Sequence, residues 1–235
     1  MNDLAIIIPA YNEESNILKL IKEIKSLLQK PNIFIIDDSS TDKTKFLVSK
    51  EKINYYHRKK KLGRGSAVLY GMKKAYFKKK YNIFIEMDAD LSHKPSELKK
   101  NIYYFKKKKL DILIASRYLK NSKIINWPIT RKVFSFLSNY LTRKLLRMPI
   151  TDHTNGFRIY SKRSVRKIIK NCGKIGDGFI VLVEILQILY LCKYKIAEVP
   201  SVFVNRRRGQ SSVNFKLIFS SFLGLLYLSF RKKVY

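Results

Sequence analysis

The chain has only two cysteines among its 235 residues, Cys172 and Cys192. They form no metal or redox spacing and no disulfide framework, so a reducing, cytosolic compartment is expected. Acidic residues are scarce as well: 17 Asp and Glu stand against 49 Lys and Arg, a formal net charge of +32. A field of that sign attracts nucleic acid, anionic membrane or phosphorylated substrates without choosing among them. Most of the excess lies in runs such as 58–61, 106–109 and 206–208, which solvated loop charge largely explains. No stretch is a clear membrane span, and no basic segment precedes the first apolar run, so no signal peptide is expected. Repeats and low-complexity linkers are absent too. With 46% hydrophobic residues, this is a folding chain rather than a disordered one.

What the chain does have is a regular alternation. Apolar runs at 4–8, 33–36, 54–57, 83–87 and 111–115 read as strands. Between them lie helical segments: 17–28 with a 3.6-residue apolar period, 44–50, one opened by Gly63-Arg64-Gly65, and one from Pro95 to about 105. This order predicts an α/β fold with a mainly parallel sheet and right-handed crossovers. Beyond Ala115 come a loop around Trp127-Pro128, a basic amphipathic helix over 131–147 and a polar loop leading into Ile159-Tyr160. Helices over 164–170 and 179–191 and a strand over 197–204 follow. The expected organisation is a catalytic domain over 1–212 and an apolar tail over 213–235.

Three strands end in polar or acidic clusters: Tyr11/Asn12/Glu13, Asp37/Asp38 and Asp88/Asp90. Ligands of α/β sheets bind beyond the carboxyl ends of strands, so the clusters describe one cleft along a sheet edge. Side chains two apart on an extended segment share a face, which lets Asp88 and Asp90 converge on one cation. Their hard oxygens suit Mg²⁺ or Mn²⁺, ions usually shared with substrate phosphates. A solvated turn is the alternative for this pair taken alone. His93 reads as a metal ligand or as a group that starts a helix or steadies the site beside it. His57 and His153 read as structural, and Glu184 as a buried pairing group or a site residue. Gly63-Arg64-Gly65 reads as a phosphate cradle or a tight turn.

Taken in order, Ile7-Ile8-Pro9-Ala10-Tyr11-Asn12-Glu13, Ile36-Asp37-Asp38-Ser39-Ser40-Thr41-Asp42 and Asp88-Ala89-Asp90-Leu91-Ser92-His93 resemble the inverting A-type glycosyltransferases. Gly63-Arg64-Gly65-Ser66-Ala67, Ala115-Ser116-Arg117-Tyr118 and Asp152-His153-Thr154-Asn155-Gly156-Phe157-Arg158 narrow this to sequences similar to dolichyl- or polyprenyl-phosphate mannosyltransferases. The resemblance implies the nucleotide-diphospho-sugar transferase fold with C-terminal amphipathic helices. It also implies a nucleotide-sugar donor, GDP-mannose favoured, a polyprenyl monophosphate acceptor, and inversion at the anomeric carbon. By the same resemblance, Pro9, Tyr11, Glu13, Asp37, Asp88, Ala89, Asp90, Arg117 and Arg206 bind the nucleotide sugar. Asp88, Asp90 and Ser92 form the metal side, and Arg131, Ser135 and Arg206 hold the acceptor phosphate. Asp152 is expected at the hexose. Asp88, Asp90, Arg117, Arg131 and Asp152 make up the catalytic set. A lipid phosphate is already anionic near pH 7, so no obligatory general base is assigned.

The chain departs from the family pattern where Ser39 and Lys43 replace glycines, and where Ser212 replaces a lysine. The tail, with one charge (Lys216) over 213–230, reads as an interfacial helix, a core helix or, third, a span. With the 131–147 helix it is expected to dock on anionic lipid at the cytoplasmic face of a membrane, where a small membrane-anchor subunit is a candidate partner. The alternatives are a UDP-glucose donor, a glycan or protein hydroxyl as acceptor, or a basic nucleic-acid binder. The last should interleave exposed aromatics with basic residues, not place carboxylates at strand ends, so no nucleic-acid partner is expected.

Overall fold

The computed structural model of the chain describes residues 3–176, 178–205 and 215–230. Arg206 and Ser212, named above, lie outside the described residues. The strands are β1 (Leu4–Ala10), β2 (Asn32–Asp37), β3 (Asn54–His57), β4 (Ile83–Glu86), β5 (Ile112–Ser116), β6 (Lys123–Ile125), β7 (Arg158–Ser161), β8 (Ile196–Pro200) and β9 (Val202–Val204). The α-helices are α1 (Ile17–Leu27), α2 (Thr44–Ser49), α3 (Arg64–Phe77), α4 (Leu98–Lys107), α5 (Ile129–Leu146), α6 (Lys162–Asn171), α7 (Ile180–Leu191) and α8 (Phe215–Phe230).

Seven strands form one sheet in the order β3-β2-β1-β4-β7-β5-β8. All its pairings are parallel except those of β7, which runs antiparallel to both β4 and β5. The strands read as unbroken apolar runs because helices cover both faces. Leu4, Ile6 and Ile8 pack toward α1, α2 and α4, while Ala5 and Ile7 pack toward α3, α6 and α7. The strand order turns between β1 and β4, so Tyr11, Asp37 and Asp88 emerge along one crevice. Because β7 is antiparallel, it begins at that same edge and brings in the loop that precedes Arg158.

Two features depart from the expected elements. The strand expected over 197–204 is divided: β8 stays in the main sheet, while β9 pairs with β6 in a separate two-stranded sheet. The division falls at Ser201, whose hydroxyl donates to Glu97 (2.6 Å), as does the Val202 N–H (2.9 Å). The tail helix α8 sets Leu225 and Leu228 against Ile180 and Val183 of α7. Gln187 also donates to the Leu228 carbonyl (2.9 Å). Its other side, including Phe222, Leu223 and Tyr227, is exposed. Among the described residues no helix is long and apolar enough to cross a membrane.

Helix α3 approaches the sheet closely because Gly71 lacks a side chain. A Cβ there would lie 2.6 Å from Ile7 and 2.8 Å from Ile36. Gly71→Ala should therefore destabilise the fold by about 1–2 kcal/mol in urea unfolding, since overpacking outweighs the gain in helix propensity. A more stable variant would contradict this packing.

Candidate active site

At the end of β4, Glu86 is fully buried and Asp88 is partly open. Arg64, the first residue of α3, joins them. Its Nη1 is 2.7 Å from Glu86 Oε1, while Nε donates to Asp88 Oδ1 at 2.7 Å and Nη2 stands 2.6 Å from the same oxygen. Tyr160 donates to the second Glu86 oxygen (2.7 Å). Burial opposes the charge on Arg64, but Asp88 and then Glu86 outweigh it and raise the guanidinium pKa. The guanidinium fits because residue 156 is glycine: a Cβ there would lie 1.9 Å from Nη2.

Asp90 is buried, and its Oδ1 accepts the Ser92 N–H (3.0 Å). The Ser92 hydroxyl is buried and has no hydrogen-bond partner among the described residues. His93 accepts the Asp88 N–H at Nδ1 (3.3 Å), which leaves Nε2–H to donate to Asn155 Oδ1 (2.8 Å). Asn155 in turn donates to the Ala115 carbonyl. His93 thus steadies the Asp88 backbone. Among the described residues no three His, Cys, Asp or Glu side chains are grouped so as to hold a metal alone. Two carboxylates and an orphaned hydroxyl still form a hard-oxygen set, which suits an ion whose remaining ligands come from phosphates and water. The resident-ion expectation fits the residues in that form.

The second strand end is closed on itself. Asp37 is buried; its Oδ1 accepts the Ser40 N–H (2.9 Å), and its Oδ2 accepts Tyr55 OH (2.5 Å) and lies 3.0 Å from His57 Nδ1. Burial pushes its pKa up, yet the bonds from Ser40, Tyr55 and His57 prevail and hold the carboxyl below the usual range. His57, read as structural, therefore contacts a predicted site residue. Asp38 accepts the N–H groups of Leu62 (3.0 Å) and Gly63 (2.7 Å), fixing the turn that launches Arg64. Ser39 adopts φ +68°, so the left-handed turn is kept without glycine. Tyr11 lies under the Lys61 ammonium (3.5 Å), and Glu13 accepts from Asn16 (2.8 Å). Pro9 and Ala89 are buried beside them.

Arg117 and Asp152 form a buried bidentate pair. Arg117 Nε and Nη2 each reach an Asp152 oxygen at 2.7 Å, and the Arg117 N–H donates to Asp152 as well (2.9 Å). Burial raises the Asp152 pKa, but Arg117 outweighs it and the carboxyl stays ionised below its usual range. Asp152, expected at the hexose, is fully buried and turned onto Arg117. The Trp127 ring lies 5.4 Å from the Arg117 guanidinium carbon and 4.3 Å from that of Arg131. Arg131 donates to Asn205 (2.9 Å), and Ser135, one helical turn on, accepts from Tyr118 OH (2.6 Å). Arg131 and Ser135 are therefore brought beside Arg117, while Asp88 adds to the field that Arg117 feels. Glu184 is buried and accepts the Gly173 N–H (2.7 Å).

Sequence reasoning missed Arg64 as a site residue, reading its motif as a turn or cradle. The signal available was its place at the mouth of a helix following Asp38. Gly156→Ala should push Arg64 off Asp88 and lower turnover at least tenfold, with little further loss when Arg64→Gln is added. Additive losses in that double variant would separate the two residues. His153 gives a pH prediction. Burial, then Arg158 and Arg143, lower its pKa from 6.5 to about 4 against the opposing pull of Asp152. The unfolded chain then binds more protons between those values, so this contribution is complete above pH 6.5 and lost as pH falls toward 4. It reaches about 3 kcal/mol. Urea titrations of His153→Asn should show a shallower loss across that window; an unchanged slope would assign the loss to other groups.

Residues 5–169 match the family described as glycosyl transferase family 2. A dolichol-phosphate mannosyltransferase of Pyrococcus furiosus is 37% identical over 92% of this chain, which spans 60% of that relative's length. A polyprenol monophosphomannose synthase of Mycolicibacterium smegmatis is 30% identical over 89% of this chain and 80% of its own. An undecaprenyl-phosphate mannosyltransferase of Micrococcus luteus is also 30% identical, over 88% of this chain and 86% of its own. Among solved structures, glucosyl-3-phosphoglycerate synthase of Mycobacterium tuberculosis superposes with a TM-score of 0.72 at 15% identity, over 99% of this chain and 82% of that one. That likeness concerns the fold, a mixed α/β architecture with a mostly parallel central sheet, as expected. The chain belongs to glycosyl transferase family 2.

Proposed function

We propose that this chain transfers a mannosyl group from GDP-mannose to a polyprenyl monophosphate, with inversion at the anomeric carbon. The observation that carries the reading is the meeting, at one sheet edge, of a hard-oxygen set with two arginines gathered on Trp127. Asp88, Asp90 and the Ser92 hydroxyl would hold Mg²⁺ or Mn²⁺. The ion, when bound, neutralises charge on the departing diphosphate. Pro9, Tyr11, Glu13, Asp37 and Ala89 line the nucleotide side, and Arg206, outside the described residues, belongs to the same proposal.

Arg117 supplies a fixed cation to the donor phosphates. Asp152 acts through it, and together with Thr154 orients the guanidinium. Arg131 and Ser135 receive the acceptor phosphate. In the reaction an acceptor phosphate oxygen bonds to the anomeric carbon as its bond to the nucleoside diphosphate breaks. The attacking oxygen is already anionic, so the site has to align and neutralise rather than remove a proton.

The acceptor places the enzyme at a membrane, and we assign it peripherally to the cytoplasmic face. Helices α5 and α8 both expose apolar side chains, among them Val133, Phe134, Leu137, Phe222 and Tyr227, a face suited to lipid. A small membrane-anchor subunit would seat on that face.

The test is purified protein with Mn²⁺ or Mg²⁺, a panel of nucleotide sugars, and short polyprenyl phosphates. Mannose should pass from GDP-mannose into the lipid fraction, and Asp90→Ala should abolish transfer while the fold persists. Transfer from UDP-glucose alone, transfer only to glycan hydroxyls, or none with any donor would overturn the assignment.

A further inference from the structure

At the C-terminal end of α5 lies a hollow of about 600 Å³, walled by Tyr140, Arg143, Lys144, Arg147 and Tyr190. No acidic side chain among the described residues lines it. Among the described residues these three exposed cations form no ion pair, whereas Arg58, Arg64 and Arg117 each have a carboxylate partner. Arg147 ends the helix in the left-handed conformation (φ +51°), an unfavourable one for a non-glycine residue. That turn buries the following Met148 and leaves Arg147 exposed.

The hollow continues the exposed apolar side of α5. Lys144 follows Leu137 by seven residues and Tyr140 by four, and Arg143 follows Phe136 by seven. Those spacings place the cations in the same strip as the exposed apolar residues. Such a strip, apolar along its length and basic and aromatic at one end, is the composition of a helix lying in a membrane interface. Basic residues in a last turn also offset the helix dipole, but that amounts to roughly half a charge, which leaves most of three cations unanswered. Arg131 lies twelve residues upstream, about 18 Å along the helix, so the hollow is separate from the acceptor-phosphate pair.

We propose that this hollow binds the phosphate of an acidic phospholipid headgroup, anchoring the far end of α5 while the acceptor enters near Arg131. Two guanidinium groups and an ammonium can surround phosphate oxygens, and the tyrosine rings lie at headgroup depth. The inference rests on the membrane-docking reading above, and the two fail separately in the following experiment.

Full-length protein is titrated with phosphatidylcholine vesicles lacking or containing phosphatidylglycerol. In parallel, turnover is measured with a short, water-soluble polyprenyl phosphate. Arg143→Gln/Lys144→Gln/Arg147→Gln should weaken binding to the acidic vesicles roughly ten- to hundredfold. Its turnover on the soluble acceptor should be unchanged. Lys107→Gln/Lys108→Gln/Lys109→Gln removes the same charge at the end of α4 on the opposite face of the sheet, and should bind acidic vesicles as the parent does. Equal losses in both triple variants would reduce the effect to net charge and overturn the proposal. Thermal stabilisation by inorganic phosphate that needs Arg143 and Arg147, with vesicle binding indifferent to them, would make the hollow a free-phosphate site and overturn it as well. Absence of turnover in the parent would instead strike the proposed function and leave the vesicle comparison readable.

Discussion

The guanidinium of Arg64, held between Glu86 and Asp88, is the interaction on which the site depends. Two carboxylates two residues apart on a buried strand end repel each other and lose hydration. One shared cation offsets the negative charge of both. The surroundings are built to admit that cation. Asp38 fixes the turn before α3 through the Leu62 and Gly63 N–H groups, Tyr160 takes the remaining Glu86 oxygen, and Gly156 clears the volume. Removing Arg64 would leave Glu86 buried with a hydroxyl as its only strong partner in this set, at a cost typical of a broken buried pair.

Arg117 and Asp152 repeat the principle on the other side of the crevice. There the carboxylate holds the arginine through two side-chain bonds and also accepts the Asn155 N–H, so the pair and the loop that precedes β7 are fixed together. The aromatic surface of Trp127 lies against both Arg117 and Arg131. In the proposed reaction these arginines serve donor and acceptor phosphates, and one ring sets the spacing between them. The small β6–β9 sheet holds this arrangement over the loop after β4, through Val204 N–H to the Ser92 carbonyl and the Phe203 ring against His93.

Much of this is legible in the sequence. Apolar runs at 4–8, 33–36 and 83–87 became β1, β2 and β4 because strands buried on both faces leave an unmistakable pattern. Polar clusters after them fell on one edge because parallel strands all end on the same side. The direction of β7 was not legible, since Ile159-Tyr160 reads the same in either sense and its pairing is decided by strands far away in sequence. Nor was the break at Ser201, which depends on a carboxylate 104 residues away. A carboxylate that faces a ligand and one that faces an arginine look alike in sequence, so the pairing of Asp152 with Arg117 was not legible either. Arg64 was missed for the converse reason: its role comes from a glycine 92 residues later.

In the proposed function the metal side is incomplete by itself: two carboxylates and a hydroxyl would need a nucleoside diphosphate to finish the coordination. The direct test is a Mn²⁺ titration followed by electron paramagnetic resonance, with and without GDP, in the parent and in Asp90→Ala. Binding should tighten at least tenfold with GDP in the parent, a coupling of about 1.4 kcal/mol, and the tightening should vanish in Asp90→Ala. Mn²⁺ affinity that is equal with and without nucleotide, or coupling that survives the loss of Asp90, would contradict it.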